Sequence, residues 1–207
     1  MACLALAFAV FAGVFGPAYH AYFTYAPCEG DILFQSLPRN RLVNAIEGAT
    51  NSPYSHCGIV SKQNGNWLVY EALDGVEATP LKDFIFRGRN YGFAVFRLKP
   101  VYQSHIPKTV ENVKSYLGRP YDVRYRMDDE KIYCTELIFK AYKDAAGKPL
   151  GNLVRLGDLN WRPFRDTIQH FEGGPVPLDR EMITPKHMAD ARQLHPVFNY
   201  GISVTDQ

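Results

Sequence analysis

Charge is absent from the start of this chain: no Asp, Glu, Lys or Arg precedes Glu29, and the first basic residue is Arg39. Cysteine is scarce, four in 207 residues, too few for a disulfide-built scaffold. No CxxC or HxxxH pair occurs, so a zinc site from His56, Cys57 and Cys134 has no metal-ligand spacing behind it. A GxSxG elbow, a phosphate-cradling glycine loop and a dinucleotide fingerprint are all missing, which removes the common serine-hydrolase and nucleotide-binding readings. Net charge is only +2, which gives no electrostatic reason to expect nucleic acid. Internal repeats and low-complexity tracts are absent as well.

What is present is ordinary globular chemistry with one unusual end. Hydrophobic residues make up 46% and charged residues 21%, which excludes a disordered chain. The first 16 residues are apolar, shorter than a span of about 20 residues and at the upper end for a signal-peptide core of about 7–15. Pro17 breaks the run, and Ala18 to Ala21 offers small residues where a signal peptidase could cut. The run is apolar all round rather than on one face, which argues against a buried N-terminal helix. Residues 1–27 are therefore expected to be a signal peptide or membrane anchor, and residues 28–207 a single domain. Export or membrane anchoring follows, in the cell envelope if the source is bacterial.

From Gly30 on, strands and helices alternate. Residues 31–35 read as a strand, and residues 39–49 as a helix ending in Gly48. Residues 55–61 and 66–73 read as strands joined by Lys-Gln-Asn-Gly, a turn signal. Thr79-Pro80 precedes a short helix over 81–87, and residues 91–98 are rich in strand formers. Helices follow over 107–117, closed by Gly118, and over 134–146, closed by Gly147, with a last short one from Thr184-Pro185. This pattern predicts an α+β domain in which an antiparallel sheet packs against helices.

Three residues carry the chemistry. In the hairpin, a four-residue loop would set His56 directly opposite Glu71, whereas a turn at Asn64-Gly65 alone would set Glu71 opposite Gly58 and diagonal to His56. Either way the two side chains share a face, and the carboxylate can orient the imidazole. The same parity puts Cys57 on the other face, which argues against it as a nucleophile. Cys134 opens the clearest helix, where the positive dipole end and free N–H groups favour a thiolate and can hold an oxyanion. A helix-start Cys beside a strand-borne His and Glu is the division of labour of a cysteine hydrolase. On the bland reading, Cys134 is a small buried residue and His56–Glu71 a half-exposed pair. His20, His105, His170, His187 and His195 fall in tail, loop or C-terminal contexts that read as structural or solvated.

The segments Gly30-Asp-Ile-Leu-Phe34, Tyr54-Ser-His-Cys-Gly-Ile-Val60, Val69-Tyr-Glu-Ala72, Tyr116-Leu-Gly-Arg-Pro-Tyr-Asp122 and Ile132-Tyr-Cys-Thr-Glu-Leu137 resemble the YiiX-like group. These are circularly permuted members of the NlpC/P60 papain-like superfamily, in which His precedes Cys along the chain. The similarity runs from about Gly30 to the Ile183-Thr-Pro185 segment. It implies a permuted papain-like fold with Cys134 as nucleophile, His56 as base and Glu71 as the orienting third member, with no metal or organic cofactor. It further implies a hydrolase acting on an amide or ester through a thioester. NlpC/P60 enzymes cut cell-wall peptides, and the permuted branch is similar to lipid-processing acyltransferases. The expected substrate is thus a peptide or a lipid-linked acyl conjugate. The alternatives are a thiol acyltransferase and a non-catalytic binding module on the same scaffold. A second oxyanion donor could be Tyr54, Tyr121 or Tyr133. Residues 150–181 carry no motif of the group and are placed as a cap over the active-site groove.

Overall fold

Asn64 and Gly65 reverse the chain with both residues at positive φ, 50° and 83°. This is the two-residue hairpin turn whose twist matches that of its strands. It fixes Gln63 opposite Asn66 and Gly58 opposite Glu71, the second of the two registers open to the sequence. In the computed structural model, which describes residues 16–203, this hairpin is the middle of a six-stranded sheet. Its strands are β1 (Ile32–Gln35), β2 (His56–Gln63), β3 (Asn66–Ala72), β4 (Val76–Pro80), β5 (Phe93–Leu98) and β8 (Leu194–Tyr200). They lie in the order β4-β3-β2-β1-β5-β8, every neighbour antiparallel. A separate two-stranded ladder joins β6 (Val154–Arg155) to β7 (Glu181–Met182).

Helices cover both sheet faces, which is why β5 reads as a continuous apolar run and not as an alternation. On one face Ile32, Phe34, Cys57, Ile59, Tyr70 and Ala94 pack against α4 (Ile106–Ser115), α5 (Cys134–Ala146) and α7 (Pro185–Ala189). On the other, Leu33, Val60, Val69, Phe93 and Val95 pack against α3 (Leu81–Arg87) and against Ala21 and Tyr25. Ala21 belongs to α1, the helical residues 16–24. Ala18 and Ala21 are fully buried, and the Tyr25 hydroxyl donates to Asp31 at 2.7 Å. The first 15 residues of the expected leader lie outside the described residues. Among the described residues no helix is long and apolar enough to cross a membrane.

Two predicted boundaries shift for clear reasons. α2 (Arg41–Thr50) does not stop at Gly48; it runs on to a left-handed cap at Asn51, after an N-cap bond from Val43 N–H to Asn40. Gly48 is small for a different cause: a Cβ there would meet the Phe164 ring at 2.0 Å. α4 ends at Ser115, and Gly118 turns the chain two residues later at φ +83°. α5 and α3 match the expected bounds, with Gly147 left-handed after α5. Residues 150–181, read only as a cap, form β6, two short turns of 3₁₀ helix and α6 (Arg165–Glu172).

Candidate active site

Gly58 leaves a gap in the sheet, and Glu71 leans across it. A Cβ on Gly58 would meet the Val69 side chain at 2.4 Å and the Glu71 Cβ at 3.3 Å. The gap lets the fully buried Glu71 carboxylate reach diagonally to the first residue of β2, where His56 Nε2 sits 2.5 Å from Oε2. Arg87, at the end of α3, donates to the same oxygen at 2.5 Å. Phe84, one helical turn earlier, lies 5.8 Å from the imidazole and 5.4 Å from the guanidinium. Its carbonyl accepts from Gln35, the residue paired with His56 on β1. Imidazole, carboxylate and guanidinium thus form one chain, held by strands on one side and α3 on the other. Arg87 is a site residue that the sequence did not single out; its only signal was the three-residue spacing from Phe84.

Cys134 is the first residue of α5, after Tyr133 in extended conformation. The Tyr133 N–H donates to Glu136, and Thr135 is tied to the Ile183 carbonyl at 2.6 Å, so the helix start is fixed from two directions. Its thiol interacts with both His56 and Cys57. The three residues singled out in the sequence therefore converge. Cys57, set aside because it faces away from His56, does face away from it. That other face, however, is the one α5 covers, so Cys57 contacts the Cys134 sulfur directly.

The electrostatics follow from these contacts. A bond from Cys57 comes first in holding the Cys134 thiol well below its usual range; burial opposes this, and His56 reinforces it. Burial disfavours a charged His56, but its bonds to Cys134 and Glu71 prevail and raise its pKa to about 9. Burial would likewise raise Glu71, but His56 and Arg87 hold it down at about 2. Together these favour a thiolate–imidazolium pair backed by a carboxylate.

Three tyrosines surround the thiol, and their hydroxyls are differently engaged. Tyr133 donates to Met127 Sδ and accepts from Ile183 N–H, and is committed to structure. Tyr54 stacks on Phe34 and faces Asp190. Tyr121 meets the Tyr125 hydroxyl at 3.0 Å, and after burial itself the charge on Cys134 does most to push its pKa up. Tyr125, held at φ 55°, stacks 4.7 Å from Tyr133 and forms part of the wall of a cleft of about 650 Å³. The cleft runs between α2, the 123–125 loop, residues 156–172 and the 180–185 segment, and is lined by Ile46, Ala49, Leu156, Ile168, Phe171 and Met182 among others. Residues 150–181 thus supply much of one wall, and Arg180, paired with Glu172, stands among its few charged groups.

A sequence model of the permuted papain-like amidases, the YaeF/YiiX or C92 family, matches residues 26–198. The chain belongs to this family. YiiX of Escherichia coli strain K12 is 33% identical over 180 residues, which cover 84% of this chain and 88% of that protein. The crystal structure of YiiX from E. coli O157:H7 superposes with a TM-score of 0.78 at 32% identity, covering 85% of this chain and 99% of that one. The permuted papain-like architecture with its antiparallel sheet is therefore that of the C92 amidases. That crystal structure is described as a metalloprotein. Among the described residues here, no group of three or more His, Cys, Asp or Glu side chains is arranged to hold an ion.

Proposed function

We propose that this chain is a thiol amidase that opens an acyl–amide or acyl–ester bond through a thioester on Cys134. The observation that carries the reading is the convergence of Cys134 with the His56–Glu71 pair beside a wide apolar cleft. With Nε2 committed to Glu71, Nδ1 of His56 is the nitrogen that remains to exchange a proton with Cys134. The thiolate attacks the acyl carbon, and the N–H of Cys134 and the Tyr121 hydroxyl stabilise the oxyanion. The His56 imidazolium protonates the departing amine or alcohol, and water then releases the acid by the reverse sequence.

The cleft supports an acyl conjugate over a cell-wall peptide. Its volume is in the range of small-molecule sites of roughly 300–1,000 Å³, and its lining is almost wholly aliphatic and aromatic. A peptide backbone would leave its polar groups unpaired there. Incubating the protein with N-acyl amino acids, lipid extract and cell-wall peptides, then measuring intact mass, tests this. An acyl adduct on Cys134, lost in Cys134→Ser and in His56→Ala, is expected from the acylated compounds. Adducts from the peptides alone would replace the acyl reading, and none from any compound would favour a binding module. Passage of the acyl group to an added alcohol instead of water would identify a transferase.

The uncharged N-terminal segment supports action at a membrane or outside the cytoplasm. A cut within residues 18–21 would remove the buried Ala18 and Ala21, so packing favours a segment that stays attached. Intact mass of the native protein from fractionated cells tests this, and a mature form beginning after Ala21 would overturn it.

A further inference from the structure

One polar group beside the thiol has no part in the chemistry described so far. Cys57 and Cys134 are both free and both fully buried, and they pack in the same core between β2 and α5. The period-2 alternation of β2 sends His56 toward α3 and Cys57 toward the start of α5, so two successive residues of one strand approach the same sulfur from different sides. We propose that Cys57 is a positioning residue for the nucleophile: its S–H donates to the Cys134 sulfur, holding it as a thiolate aimed away from the sheet.

The direction of this bond follows from the surroundings. Burial and the neighbouring charge on Cys134 push the Cys57 thiol up, so Cys57 keeps its proton, while the Cys134 thiol is held down. The other titratable groups around the pair are His56 on β2, Glu71 on β3, and Tyr121, Tyr125 and Tyr133 before α5. Burial pushes all three tyrosines up, so they stay neutral where the thiol titrates. Glu71, already ionised, also stays fixed there. A thiol is a weak donor, but to a buried anion with few other donors it counts for more than it would in water.

The proposal rests on the reading of Cys134 as a nucleophile, and its test works without a substrate. Thiolate absorbance is followed against pH as the difference between each protein and its Cys134→Ser counterpart, with circular dichroism to check the fold. Cys57→Ala is expected to raise the midpoint by about one pH unit, a tenfold loss of thiolate at a fixed pH below it. Cys57→Ser, which keeps a donor, is expected to stay near the wild-type midpoint, and Cys57→Val to follow Cys57→Ala should the alanine variant not fold. The acid limb of kcat/KM should move with the midpoint while the alkaline limb stays in place. An unchanged midpoint in the apolar variants, or equal shifts in serine and alanine variants, would overturn the proposal. A low midpoint that depends on Cys57 in a protein without turnover would instead count against the amidase reading.

Discussion

Glu71 shares one oxygen, Oε2, between His56 and Arg87, while Oε1 is buried without a partner. The pH behaviour of the site turns on that sharing. Glu71 titrates in the fold at about 2 against an ordinary 4.5, so its contribution to stability is present above pH 4.5 and is lost as pH falls toward 2. Melting temperatures of wild type and Glu71→Gln should therefore differ most near neutrality and converge in acid. His56 runs the opposite way: raised from 6.5 to about 9, it stabilises below 6.5 and loses that contribution as pH rises to 9. Turnover should show the same alkaline limb near pH 9, and Glu71→Gln should move the limb toward an ordinary imidazole with at least about a tenfold loss of rate. A limb that stays in place in Glu71→Gln would remove the carboxylate from the mechanism. Arg87→Leu should move Glu71 upward and reproduce part of this effect without touching the thiol.

At the scale of elements, the hairpin shows how much a sequence can say about a site. The Asn64-Gly65 turn chose between two registers that the sequence left open, and both kept His56 and Glu71 on one face because side chains alternate with period 2. The parity argument was equally sound for Cys57, but a face is only half of an address. Which helix covers that face depends on contacts between residues far apart in the chain, and no local pattern states them. Arg87 was hidden for the same reason: it meets Glu71 only once α3 folds back over β3. α5 was legible to the residue, because its apolar spacing and its Gly147 stop are local signals. Gly48 was misread as a helix end, since a glycine demanded by a neighbouring ring looks the same in sequence as one demanded by a turn. Gly48→Ala should drive Phe164 outward and cost roughly 1–3 kcal/mol, read by denaturant unfolding. The same substitution should narrow the cleft and weaken acyl binding while leaving thiolate formation unchanged.

Across the whole molecule, the six-stranded antiparallel sheet and its helices followed from the alternation of patterns, but its closing strand did not. β8 carries Pro196 and sits at the sheet edge beside a bulge in β5, so its period is broken and its propensity low. α6 was equally obscure, because its residues are at most half-buried and leave only a weak apolar stripe. The cleft was beyond the sequence altogether, since its lining comes from four distant stretches.

The two parts of the cleft's surroundings are built to very different standards of rigidity. His56 and Glu71 stand on strands paired on both sides, whereas the wall over 150–181 is stitched by a ladder of two residues on each strand. Backbone amides in β2 and β3 should therefore exchange with deuterated solvent only through global unfolding, while those of α6 and β6 exchange through cheap local openings. Cys134 itself is fully shielded in the closed fold. A long chain that must arrive at that sulfur would then enter at the rate at which the weaker wall breathes, and turnover would be paced by local unfolding of one side of the enzyme rather than by the reactivity of its thiol.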